Sequence, residues 1–225
     1  MTRAHGVETD PRLLAALSAP SASVRLRAAL AAGSNPRPDQ IEPLVQRCAV
    51  EPDFYVRDML TWALTRHDRE VTTERVLREL GSPVAQARSQ ALHTLSKLGG
   101  SARPGPAAVS TALLQDPDDQ VARTAWRTAV GLVTEDDRAA LAEVLMTQLD
   151  RGDRDVQLSL SRALVALGEA AAPVLERAKA DPDPGVVAHA IATERLLADP
   201  EEGFDASIAE AQRTVALLAA PKVHG

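Results

Sequence analysis

The side chains best suited to chemistry fall at fixed offsets from a recurring Pro or Gly. Counting from Pro20, Pro52, Pro83, Pro117, Gly152 and Pro182, the tenth places read Leu30, Trp62, His93, Arg127, Arg162 and Ala192. The third, seventh and fourteenth places add Arg27, Tyr55, Met59, Arg66 and Lys97, with His189 in the last copy. Such offsets lie on one side of a helix, so stacked helices would line these residues up in a ridge. Asp155 is the only acid in that ridge, although the chain as a whole carries a net charge of −6. Arg and large aromatics dominate binding energy at protein interfaces. The expected chemistry is therefore recognition of an acidic protein or peptide. Trp62 and Met59 would serve as apolar anchors, and Arg66, Arg127 and Arg162 as charge contacts. The competing reading is a solvated helix face, which carries Arg and Lys in any protein.

Other chemistries find little support. The five histidines (5, 67, 93, 189 and 224) are scattered, and no His-Glu pair repeats at one register, so no metal site is expected. His93 reads as a polar surface residue or a partner contact. Cys48 is the single cysteine and sits in an apolar helical run with Ile41, Leu44 and Val45, which fits a buried, inert thiol. There is no Ser-His-Asp pattern, no Gly-rich phosphate loop and no calcium-loop spacing. Asp58, one turn from Tyr55 and from Trp62, is the best carboxylate for base-excision chemistry. The preferred reading of Asp58, however, is an ion-pair partner of Arg57 or Arg88 in the repeat ladder. Trp126 falls one place off the ridge and reads as a packing residue. No cofactor is expected. The acidic balance (sequence pI near 5.4) disfavours sequence-independent nucleic-acid binding. The opening residues lack an apolar signal core, and no run of about 18 apolar residues is evident, so no membrane span and a cytoplasmic location are expected.

Ridge residues need helices to carry them, and the repeat supplies these. The six Pro/Gly starts are 32, 31, 34, 35 and 30 residues apart, and each is followed by apolar residues at the fourth and eighth places. A period of that length marks an array of supersecondary units. Apolar residues make up 45% of the chain and aromatics 2%, so the apolar mass is Ala, Leu and Val, which suits close helix packing rather than strands. Each unit reads as two helices. The first helices are expected at 11–19, 39–50, 71–80, 107–114, 135–149 and 169–180. The second are expected at 21–33, 53–67, 83–98, 118–133, 153–167 and 183–197, with a last helix at 206–219. The Pro is expected in the first turn of each second helix, where its missing N–H costs nothing. Asp116, Asp181 and Ser82 are expected caps, and Asp53, Asp118, Asp119, Asp153 and Asp183 favour the positive helix end. Gly99-Gly100 reads as a helix stop and Pro104/Pro106 as a break between units. A single domain is expected over 11–219, with flexible ends at 1–10 and 220–225.

The repeat, the Asp-Pro turns and the Val24-Arg25, Val56-Arg57 and Ala87-Arg88 steps resemble the HEAT-repeat family, in particular the short HEAT-like repeats of the phycobilisome-lyase type. The resemblance covers roughly residues 11–198. The Arg step is lost at Ala122, Gln157 and Val187. The resemblance implies an all-α, right-handed α-solenoid of about six helical hairpins plus a C-terminal capping helix, with the second helices lining the concave side. It implies a non-enzymatic scaffold that binds a protein or peptide partner. The alternative is a nucleic-acid-associated protein, either a DNA-repair glycosylase relative or a module of a transcription regulator. A structural role in a larger assembly is the third reading.

Overall fold

The computed structural model describes residues 10–98, 109–199 and 203–219. Among them there are helices and no strand, so the all-α expectation holds. The chain forms two compact units that divide between Ala108 and Val109. Unit 1 contains α1 (Pro11–Leu17), α2 (Ala22–Ser34), α3 (Ile41–Cys48), α4 (Phe54–Arg66), α5 (Arg69–Glu79) and α6 (Ala85–Lys97). Unit 2 contains α7 (Thr111–Leu114), α8 (Asp119–Leu132), α9 (Arg138–Met146), α10 (Arg154–Leu167), α11 (Ala172–Ala178), α12 (Pro184–Ala198) and α13 (Phe204–Ala219). Within each unit, hairpins stack solenoid-fashion in chain order: α2 on α4 and α4 on α6, then α8 on α10 and α10 on α12. The capping helix α13 packs on α12, burying Phe204 and Ile208 against Ala188, Ala192 and Leu196. Residues 1–9, the Gly99-Gly100 stop, the Pro104/Pro106 break and residues 220–225 lie outside the described residues.

Two local expectations need correction. The repeated Pro does not enter the helix. Pro52, Pro117 and Pro182 each lie one place before the capping Asp, where the fixed φ shapes the turn and holds the preceding residue extended. The caps are Asp53, Asp118, Asp153 and Asp183, whose carboxylates accept from Val56, Val121, Val156 and Gly185 N–H at 3.0, 3.1, 3.0 and 2.8 Å. Asp116 and Asp181, expected as caps, sit one tier further out. They accept the N–H of the capping Asp itself at 2.9 and 2.8 Å. Ser82 likewise accepts from Val84 N–H, at 3.3 Å.

The Arg steps are clasps on these turns. Arg25 Nη1 donates to the Ala19 and Pro20 carbonyls at 2.9 and 2.8 Å. Arg57 Nη1 repeats this on Glu51 and Pro52 at the same distances, 2.9 and 2.8 Å, and Arg88 reaches Ser82 O at 2.9 Å. Ala122 has no such group, and Arg151 of the next repeat donates to Asp116 O at 2.5 Å instead. Arg151 also pairs with Asp119 at 2.9 Å and lies over the Trp126 ring.

In the unit 1 core, Leu44, Leu60, Leu64 and Leu95 are fully enclosed. Burial pushes the Cys48 thiol up to about 12. Folded protein should therefore resist iodoacetamide at pH 8 and react fully in denaturant, as counted by mass spectrometry. Unit 2 encloses Trp126, Leu145, Leu160, Leu164 and Leu175, and the Trp126 indole donates to Leu114 O at 2.8 Å. Trp126 is thus the packing residue its register implied. Against expectation, one stretch, Arg154–Ala178, is apolar enough on average for a bilayer. Its apolar side chains Val156, Leu160, Leu164 and Leu175 fill unit 2, and Gly168, at φ 63°, separates α10 from α11.

α2 and α4 approach closely at Gly33. A Cβ there would meet the Trp62 ring at 2.3 Å and the Ala63 Cα at 2.8 Å. A backbone atom cannot move aside, so Gly33→Ala should destabilise the protein by about 1–3 kcal/mol, read from urea midpoints.

Candidate functional site

In unit 1, α2, α4 and α6 present the expected residues at the surface. Arg27, Leu30, Tyr55, Trp62, Arg66 and Lys97 are exposed, and Met59 and His93 are half-buried. Tyr55 is 73% exposed, whereas Trp62 is 37% exposed because one part of its ring lies on Gly33. The ring is therefore held in place from beneath and open above. Phe54, beside Tyr55 with ring centroids 5.6 Å apart, widens the apolar surface. The sequence reading missed it because Phe54 falls one place off the counted stripe.

Several first-helix cations are paired with carboxylates, some of them across repeats. Arg75 bonds Glu42 one repeat back and Glu79 at 2.8 Å, and Arg177 bonds Glu143 at 2.5 Å. Lys179 pairs with Glu176 and Glu194 at 2.5 and 2.9 Å. By contrast, Arg27, Arg66 and Lys97 make no ion pair among the described residues. Asp58 is exposed and bonds neither Arg57 nor Arg88, so the expected ladder pair does not form.

In unit 2, α8 and α10 enclose a groove of about 340 Å³ that contains both expected arginines, Arg127 and Arg162. Arg123 joins them. Thr124 is the seventh place from Pro117, which by the same count would put it on this face, but Thr124 is buried and its hydroxyl donates back to Gln120 O at 2.7 Å. The face of α8 is turned by one place, which presents Arg123, Arg127 and Val130. The signal available was the spacing of four between Arg123 and Arg127. Leu158, Ala163 and Ala166 complete an apolar floor, with Ser159 and Asp155 at its margin. Among the described residues, none of the three guanidinium groups forms a hydrogen bond or ion pair, and Asp155 bridges to none of them.

His189, counted onto the ridge, is instead fully buried. Its Nδ1 accepts from Asp150 N–H at 2.9 Å, so the ring proton is on Nε2, facing Gln157 O at 3.1 Å and Ser161 Oγ at 3.0 Å. Ser161 Oγ then contacts Thr193 Oγ1 at 2.7 Å, and Thr193 donates to His189 O at 2.8 Å. Every polar group in this network is satisfied with the imidazole neutral. Burial lowers the His189 pKa to about 4, and the Arg154 charge acts in the same direction. No group of three or more His, Cys, Asp or Glu side chains suited to a metal occurs among the described residues.

Residues 9–96 match the family described as HEAT repeats. No curated protein matches the chain. Among solved structures, an engineered protein is similar at 18% identity and a TM-score of 0.44, over 89% of this chain and 96% of its own. A second engineered protein is similar at 20% identity and a TM-score of 0.44, over 94% of this chain and 64% of its own.

Proposed function

We propose that this chain, built of HEAT repeats over residues 9–96, is a non-enzymatic scaffold that holds an acidic protein or peptide partner on its second-helix faces. The observation that carries this reading is the set of cations on these faces that make no ion pair among the described residues: Arg27, Arg66, Lys97, Arg127 and Arg162. Cations held without counter-charges on an acidic protein favour an anionic ligand. In unit 1, Tyr55, Met59 and Trp62 supply apolar anchors beside Arg27 and Arg66, with His93 and Lys97 on the next helix. Unit 2, taken by itself, carries Arg127 and Arg162 in its own groove.

The reading is tested by capture from a native lysate, using wild type, Trp62→Ala and Arg127→Glu/Arg162→Glu. A specific acidic protein retained by wild type and depleted by at least one of the variants is the expected outcome. Equal retention by all three would reduce these faces to ordinary solvated surface. Nucleic acid as the retained species, with binding collapsing steeply in salt, would replace the reading with a nucleic-acid one.

A further inference from the structure

The unit 2 groove carries a sharper assignment, which rests on the acidic-partner reading. We propose that it receives a phosphorylated side chain of the partner peptide. The charge count leads there. Arg123, Arg127 and Arg162 contribute three positive charges and Asp155 one negative, and none of the four makes an ion pair among the described residues. The net charge of +2 that remains is balanced by one dianion. A phosphoserine or phosphothreonine carries about −1.5 to −2 at neutral pH, whereas a carboxylate carries one charge. Guanidinium forks also match the tetrahedral oxygens of a phosphate monoester through paired N–H donors.

The rest of the groove points to a peptide. Its volume, about 340 Å³, is at the small end of ligand sites, which start near 300 Å³. That space holds one phosphorylated side chain and a small aliphatic neighbour. The floor of Val130, Leu158, Ala163 and Ala166 suits that neighbour. No aromatic lines the groove, so a nucleobase would find no stacking platform. Three unpaired arginines close together repel one another. Their removal should therefore leave the fold intact, unlike the removal of a structural charge.

The experiment uses the full chain and fluorescein-labelled nonapeptide pools with a central phosphoserine, a central Ser or a central Glu, read by anisotropy. The variant is Arg127→Gln/Arg162→Gln, with its folding checked by circular dichroism and by the emission of buried Trp126. The phosphoserine pool should bind wild type at least about tenfold tighter than the Ser and Glu pools, and the variant should lose that preference. Equal binding of the phosphoserine and Glu pools would overturn the phosphate assignment while leaving the acidic-partner reading standing. Binding of no pool would overturn the assignment and remove the groove from the wider reading, leaving the unit 1 face to be judged by Trp62→Ala. A single-stranded oligonucleotide that outcompetes the phosphoserine pool would overturn it in favour of nucleic acid.

Discussion

Glu51→Ala is expected to be the most damaging single substitution outside the apolar core. The Glu51 side chain is wholly enclosed. It accepts Arg25 Nε and Nη2 at 2.7 Å each, Arg47 Nε at 2.7 Å and Asp53 N–H at 2.9 Å. Arg25 also clasps the Ala19 and Pro20 carbonyls. One carboxylate thus joins α2, α3 and the turn into α4. Removing it strands a buried guanidinium and an N–H donor, and breaking a buried pair in this way costs about 3–5 kcal/mol. The urea midpoint should fall by about 1–2 M. Glu51→Gln, which keeps the shape and some acceptor capacity, should fall by less. Burial alone would raise the Glu51 carboxyl, but the bonds from Arg25, Arg47 and Asp53 outweigh it and hold the pKa at about 2. That contribution is complete above the ordinary value near 4.5 and is lost as pH falls through about 2. An unchanged midpoint for Glu51→Ala would mean that the enclosed cluster contributes nothing.

The second large effect belongs to unit 2 and to a milder pH. His189 titrates at about 4 in the folded protein, against an ordinary 6.5. Between those values the unfolded chain binds a proton that the folded chain refuses, so stability is complete above about 6.5 and falls with falling pH. The loss should reach about 2 kcal/mol by pH 5 and about 3 kcal/mol by pH 4. A proton on Nδ1 would face the Asp150 N–H, which is already a donor. His189→Gln should be less stable at pH 7, and its profile should be flat between pH 6.5 and 5. Urea midpoints across that range decide the matter. A wild-type profile as flat as the variant's would show that His189 takes its proton without penalty.

The helical repeat was legible because it depends on apolar periodicity, and a packed helix cannot hide that signal. The exposure of Tyr55, Trp62 and Arg66 followed from the same count. Single-place errors arose where two arrangements share one sequence pattern. A Pro one place before the cap and a Pro in the first turn look alike, and only the turn hydrogen bonds separate them. Arg123 was missed because α8 is rotated slightly against the count from Pro117. His189 and Glu51 were unreadable for a different reason. Their partners lie far off in sequence: Asp150 is 39 residues from His189, and Arg25 is 26 residues from Glu51. A polar residue at a surface register gives no local sign that such a partner exists. The Arg25, Arg57 and Arg88 steps carried the family resemblance, and their physical role is to fasten turns rather than to meet a ligand.

The central claim is that partners meet the second helices and not the first. A photo-crosslinking residue placed at Leu30 on α2 or Ser159 on α10, each in a separate variant, should capture a partner from native lysate. The same residue at Glu74 on α5 or Glu143 on α9 should capture none above background. Cross-links from the α5 and α9 positions in equal or greater yield would contradict the account.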